Sequence, residues 1–216
     1  MPAPTRFIFH DQTLWLSAAR CVFWEEEKTL ILSDLHFGKS GHFRKSGIGI
    51  PQNIFKEDLQ RLFAQLQFFK PKKLLITGDM FHSSENKEAH FFLKWRTDFP
   101  QTEFFLVRGN HDILKSSFYE KAHISVFENK LVIKDFCFTH DADSCDDTLF
   151  TFSGHIHPGI KMKGAGNQSI MLPCFYFGKK NAVLPAFSAF TGLAKLKPSA
   201  SDHVFALVND SVIKLQ

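Results

Sequence analysis

Apolar residues change their spacing partway along this chain. Between residues 7 and 32, short apolar runs (Phe7 to Phe9, Leu14 to Leu16, Cys21 to Trp24, Thr29 to Leu32) alternate with polar breaks, which predicts a meander of strands. Gly47 and Gly49 then mark a loop, and Pro51 stands where a helix would begin. Ile54, Phe55, Leu59, Leu62, Phe63, Leu66 and Phe69 recur at three- and four-residue steps, predicting an amphipathic helix that Pro71 ends. Next come a strand over Lys73 to Thr77, a helix over about Glu85 to Asp98 closed before Pro100, a strand over Phe104 to Val107 and a short helix over Ile113 to Ala122. Beyond it only strands are predicted: Leu131 to Thr139, Leu149 to Ser153, Ile170 to Phe177, Val183 to Phe190, and a hairpin turning at Asn209-Asp210.

Strand–helix alternation followed by strands implies an α/β (α+β) architecture, two sheets packed face to face with helices outside. The chain has 216 residues, 44% of them hydrophobic, and no internal repeat, linker or low-complexity tract; one domain spanning 1–216 is expected. In such a fold, residues just past the carboxyl ends of strands gather at one rim. Polar motifs stand at five of those ends: Asp34-Leu35-His36, Gly78-Asp79, Gly109-Asn110-His111-Asp112, His140 and Gly154-His155-Ile156-His157.

Asp34 and His36 are two apart, as are His155 and His157, and in extended backbone an i, i+2 pair points to one side. Each pair can thus aim both donors at the rim. Two carboxylates, an amide and four imidazoles are the ligand set for a pair of divalent transition metals, with His111 left over. Imidazole mixed with carboxylate favours Mn, Fe, Zn or Ni over Mg or Ca, which prefer all-oxygen shells.

Charge changes this picture little. Lys plus Arg is 26 against 22 for Asp plus Glu, a net +4 that suits an anionic substrate without demanding one. The loop after the first motif gathers Lys39, Arg44 and Lys45, cations placed to grip flanking phosphates of a polymer, and Arg108 is grouped with them as substrate-binding. No long basic stripe accompanies them, which favours a short, single-stranded or flexible DNA. The 26 phenylalanines fall mostly at strand or helix spacing and are read as core. Cys21, Cys137, Cys145 and Cys174 are scattered, with no CxxC pair, and are expected to be packing thiols of a reducing compartment. Without a signal-like start or a run near the roughly 20 apolar residues of a membrane span, a cytoplasmic protein with no membrane partner is expected. The acidic loop Asp141 to Asp147 reads as solvated.

In order and spacing these motifs resemble the calcineurin-like metallophosphoesterase superfamily, with its D-x-H, G-D, G-N-H-[DE], H and G-H-x-H signature, over roughly residues 30 to 160. The resemblance implies a four-layer fold of two packed mixed sheets flanked by helices. It also implies that Asp34, His36 and His157 hold one metal, Asn110, His140 and His155 the other, and that Asp79 bridges them. Two cations about 4 Å apart would give a bridging hydroxide that attacks phosphorus in line. His111, off the metals, would protonate the departing oxygen, with Asp112 orienting it or capping the following helix.

Gly78-Asp79-Met80-Phe81-His82-Ser83 resembles a segment of double-strand-break-repair nucleases, implying that His82 positions a nucleic-acid phosphate. With Leu172-Pro173-Cys174-Phe175, Leu184-Pro185-Ala186-Phe187 and Thr191-Gly192, the chain as a whole most resembles the bacterial ligase-associated DNA damage response endonucleases, the PdeM family. That implies a Mn-dependent phosphodiesterase with DNA endonuclease activity, linked to an ATP-dependent DNA ligase, a helicase and an exonuclease. A phosphodiesterase acting on small molecules such as cyclic nucleotides would share every ligand. A lipid A-pathway pyrophosphohydrolase would carry arginine at position 111 and an apolar helical insertion. A non-enzymatic metal-binding scaffold would lose ligands or His111.

Overall fold

In the computed structural model, which describes residues 2–39, 54–82, 87–142, 145, 148–164, 166 and 168–216, the opening runs form the expected antiparallel meander: β1 (Thr5–Phe9), β2 (Gln12–Ser17), β3 (Cys21–Trp24) and β4 (Thr29–Leu32). There follow α1 (Ile54–Phe69), β5 (Lys73–Thr77), α2 (Lys87–Arg96), β6 (Glu103–Val107), α3 (Ser116–Lys121) and β7 (Ile124–Phe127). Strands β4 to β7 pair in parallel and complete a seven-stranded sheet. Their order advances in one direction, and right-handed crossovers in one direction place the described helices between them on the same face.

Side-chain alternation then assigns the layers. Leu30 and Leu32 of β4, Leu74 and Ile76 of β5, and Phe104 and Leu106 of β6 pack with Leu59 and Leu62 of α1, Phe92 of α2 and Phe118 of α3. The intervening Ile31, Leu75 and Val107 face the other way, into a second core shared with the second sheet. That sheet is nine-stranded: β8 (Lys130–Ile133), β9 (Phe136–Thr139), β10 (Phe150–Ser153), β11 (Pro158–Lys163), β12 (Ser169–Phe177), β13 (Asn181–Val183), β14 (Ala194–Lys195), β15 (His203–Val208) and β16 (Ser211–Lys214). Among the described residues the helices cover the outer face of the first sheet. None of them is long and apolar enough to cross a membrane.

Some expected elements differ. The run from Leu131 to Thr139 is a hairpin rather than one strand: Lys134 is left-handed (φ 53°) and Ile133 pairs with Phe136 across a two-residue turn. The strand expected over Val183 to Phe190 stops at Val183; Leu184, Ala186 and Phe187 are buried as an irregular strap, so apolarity there marks depth rather than pairing. Strands β7, β11 and β14 were not expected. Helix α3 begins at Ser116 instead of Ile113, and its N-cap position is Lys115. Glu85 and positions 143, 144, 146 and 147 of the acidic loop lie outside the described residues. The reading of four unpaired thiols is also corrected: Cys137 and Cys145 form a disulfide, because the chain folds back after β9 and brings their Cα atoms to 6.5 Å, while Cys21 and Cys174 are free and buried.

Phenylalanine fills the inter-sheet core, as its spacing implied. Trp24 of the first sheet meets Phe136 at 5.1 Å, and Phe152 lies 5.1 Å from Phe136 and stacks on Phe138 at 5.3 Å. Phe152 is fully buried among rings that cannot collapse into its space. Phe152→Ala is expected to destabilise the protein by about 3–5 kcal/mol, measured by denaturant unfolding; a loss near that of an exposed Phe68→Ala control would contradict this packing.

Candidate metal centre

Each motif sits where the rim argument places it. Asp34 and His36 follow β4, Asp79 follows β5, Asn110 and His111 follow β6, His140 follows β9, and His155 and His157 follow β10, so both sheets contribute. The local geometry differs from the extended pairs expected. Asp34 (φ 54°), His36 (49°), Asp79 (52°), His155 (68°) and His157 (50°) all have left-handed backbone, and the residue between each pair does not. Such conformations cost on the order of 1–3 kcal/mol each and persist where the surroundings over-determine them. Here the Asp34 and His36 amides donate to Gly78 O (3.1 Å) and Asp79 O (2.9 Å), and the His155 amide donates to Asp34 Oδ2 (3.1 Å). The motifs also interlock by close approach. A Cβ on Gly109 would run into the Asp79 carboxylate and amide, and one on Gly154 into Ser33 and the Asp34 carboxylate.

The donors converge in two groups. His36 Nε2 is 3.3 Å from His157 Nε2, which is 3.3 Å from Asp34 Oδ1. His140 Nε2 is 3.0 Å from Asn110 Oδ1, 3.1 Å from His155 Nδ1 and 3.5 Å from Asp79 Oδ1. Between the groups stands Asp79, whose Oδ2 is 3.9 Å from His36 Nδ1. Asp34, His36 and His157 offer ligand atoms all within 4.8 Å of one another, and so do Asp34, Asp79 and His140. Imidazole nitrogens crowded this closely against carboxylates suit a cation. Asp34 Oδ1 is buried, accepts no hydrogen bond, and faces the two imidazoles His157 (3.3 Å) and His36 (3.9 Å), an arrangement that a cation between them would repay. The residues fit a pair of divalent metals.

Burial and charge tune the groups. Burial pushes the His36 imidazole down to about 3 despite the nearby Asp34 and Asp79. Burial also opposes charge on His140, yet Asp79 and Asp34 outweigh it and raise the pKa to about 9. Asp79, in turn, overcomes its own desolvation through His140 and the His111 amide (2.9 Å to Oδ1) and falls to about 2. His140 Nδ1 faces Thr77 O at 3.1 Å, which orients Nε2 toward the cluster.

Asp34, His36, Asp79 and His140 form a buried floor, while Asn110 and His155 are exposed and His111 and His157 half-buried. His111 Nε2 lies 4.0 Å from Asp79 Oδ2, and its ring packs 4.3 Å from that of His82, itself 5.4 Å from His36. Half-buried Lys39 sits beside them: burial lowers its pKa while Asp34 and Asp79 pull the other way. Arg44 and Lys45 lie outside the described residues.

The structure contradicts the helix cap expected of Asp112 and gives Arg108 partners within the protein. Asp112 caps no helix: its carboxylate accepts from the Gly109 and Phe81 amides, both at 2.9 Å, and burial raises its pKa to about 7 against those bonds. Arg108, expected among the substrate-binding cations, donates to Asp112 O (2.7 Å), pairs with Glu128 (3.0 Å) and lies over the Tyr119 ring. Both brace the turn that carries Asn110 and His111. Sequence reasoning missed Ser33, whose hydroxyl lies 2.7 Å from Asp34 Oδ2; its place before the Asp-x-His motif was the available signal.

Two stacked mixed sheets with this donor set at their common rim define a metallophosphoesterase. The calcineurin-like phosphoesterase family model matches residues 27–169, and the chain belongs to that family, hydrolases of phosphoester bonds that use divalent metals. Among solved structures, the chain is similar to the Pseudomonas putida nuclease MPE, with 25% sequence identity and a TM-score of 0.84 over 98% of this chain and 100% of that one. Its likeness to YfcE, a phosphoesterase from E. coli, is slighter: 17% identity and a TM-score of 0.43, over 86% of this chain and 96% of that one. Comparison with curated proteins gave no match.

Proposed function

We propose that the protein is a dinuclear metal-dependent phosphodiesterase that cuts DNA as an endonuclease, most readily with Mn2+, and serves DNA repair in the cytoplasm. What supports this most is the pair of donor groups meeting at Asp79 with a metal-free histidine, His111, beside them. Similarity to a nuclease over the whole chain favours a nucleic acid over a small phosphodiester such as a cyclic nucleotide. The resemblance of the motifs extends the proposal to a functional link with an ATP-dependent DNA ligase, a helicase and an exonuclease.

Asp34, His36 and His157 would hold one metal and Asn110, His140 and His155 the other, with Asp79 shared. When bound, such a pair lowers the pKa of water and offsets charge on phosphoryl oxygens. The chain's own part is to orient and to move protons. His111 holds a proton at the rim for the departing oxygen, its ring steadied by His82 and its amide by Asp79. Asp112 and Arg108 keep the 109–112 turn in register. Lys39, with Arg44 and Lys45, meets phosphates flanking the scissile one, and the exposed side of the site leaves room for a strand.

The test compares Mn2+-supplemented nicking of circular DNA with hydrolysis of a small phosphodiester. Neutralising Arg44 and Lys45 should weaken DNA cleavage and flatten its salt dependence by about one unit of log–log slope for each phosphate no longer gripped, while sparing the small ester. Equal losses on both substrates would remove the polymer grip, and turnover of the small ester alone would return the reading to a small-molecule phosphodiesterase.

A further inference from the structure

Behind the first donor group runs a half-buried cationic brace that takes no part in the chemistry above. Arg20 lies in the β2–β3 turn with left-handed backbone (φ 67°), a conformation that glycine or asparagine adopts at less cost. From there its Nη1 reaches Ser188 O at 2.7 Å and Ala186 O at 3.2 Å. Arg61 of α1 donates to the carbonyl between them, Phe187 O, and to Asp58 Oδ1 (2.8 Å), with its guanidinium 4.4 Å from the Phe187 ring centre. Asp58 is itself buried, and that burial raises its pKa against the nearby Arg61. Three consecutive carbonyls of the irregular strap are thereby tied to two arginines. On its other edge the strap's amides hold the metal motif: Phe187 N donates to Ser33 O (2.8 Å) and Ser188 N to Asp34 O (3.1 Å).

We propose that Arg20 and Arg61 are positioning residues for the cation held by Asp34, His36 and His157, acting through the 186–188 strap on the backbone of Asp34. The inference rests on the dinuclear reading above. Asp34 has left-handed backbone, and its N–H and C=O are both spent: the first on Gly78 O, the second on Ser188 N. Loosening the strap frees that carbonyl and lets Asp34 relax toward ordinary backbone, carrying its carboxylate away from His36 and His157. Neither arginine belongs to the converging donor groups, so the consequence falls on metal affinity before it falls on chemistry.

The experiment is calorimetric titration of metal-free full-length protein with Mn2+, for wild type, Arg20→Gln and Arg61→Gln, with Arg96→Gln as control. Arg96 makes the same kind of bonds, to Phe99 O (2.6 Å) and Thr102 O (3.1 Å) over the Phe104 ring, at the opposite end of the sheet. Arg20→Gln and Arg61→Gln should each weaken one of two Mn2+ sites by about ten- to a hundredfold, with turnover recovering at saturating Mn2+, while Arg96→Gln titrates as wild type. Should Arg20→Gln fail to fold, Arg20→Lys, which keeps charge and stem but not the two-carbonyl reach, is expected to weaken the same site. Wild-type affinity in the Arg20 and Arg61 variants, or an equal loss in Arg96→Gln, overturns the inference alone. A wild-type protein that takes up no Mn2+ overturns the metal reading, and the inference with it.

Discussion

Asp79→Ala is expected to leave a protein that neither retains its metals nor hydrolyses DNA or a small phosphodiester. Asp79 lies between the two donor groups, with Oδ1 3.5 Å from His140 and Oδ2 3.9 Å from His36, so under the proposed assignment its loss removes a ligand from both at once. It also withdraws the acceptor of the His111 amide and the carboxylate that faces His140 Nε2. Four imidazoles and one remaining carboxylate would then share a partly buried pocket with too little negative charge for two divalent cations. Metal analysis after gel filtration, beside a nicking assay with added Mn2+, checks this. Substantial turnover in the variant would refute the shared-ligand assignment, and full metal content with no turnover would move Asp79 to a purely chemical role. Because the carboxylate is only 2% exposed and its backbone is left-handed, the thermal stability of the metal-free variant should be measured alongside.

His111→Ala is expected to behave differently, with metal content close to wild type and turnover lower by about 10²–10⁴. Its ring is 41% exposed and no closer than 4.0 Å to Asp79, outside both groups of converging donors. The sharper readout is the leaving group. A residue that protonates the departing oxygen matters most when that oxygen is a poor leaving group, as a DNA sugar hydroxylate is, and least for a p-nitrophenyl ester. The variant should therefore lose far more on DNA than on the activated ester. Equal losses on both would assign His111 to binding or to water, and depleted metal would place it among the ligands.

Much of this was legible in the order of residues alone. The opening meander, α1, β5, β6, β10 and the last hairpin all declare themselves through period and punctuation, because the pattern of burial along one element is a local property. The candidate ligands were legible for the same reason: imidazoles and carboxylates recurring after strands are rarely needed for packing. Elements that failed to declare themselves depend on distant partners. Strand β7 is a strand because β6 offers it an edge, and the 184–190 run is a strap because Ser33 and Asp34 claim its amides. Lys134 turns the 131–139 run into a hairpin although nothing in a Lys-Asp dipeptide demands left-handed backbone.

By itself, then, the amino-acid sequence determined the chemistry on offer and its order along the chain: which donors exist, that they follow strands, and that two apolar layers must stack. Only the tertiary structure decided which donors converge, that the Asp34/His36 and His155/His157 pairs meet through left-handed rather than extended backbone, that Asp112 and Arg108 brace a turn, and that Arg20 and Arg61 stand behind Asp34. The division has a physical cause. Side-chain chemistry and hydrophobic period are carried by neighbours in sequence, whereas separations of 3 to 4 Å between residues a hundred positions apart, such as His36 and His157 at 3.3 Å, come from sheet pairing and inter-layer packing, which no short window contains.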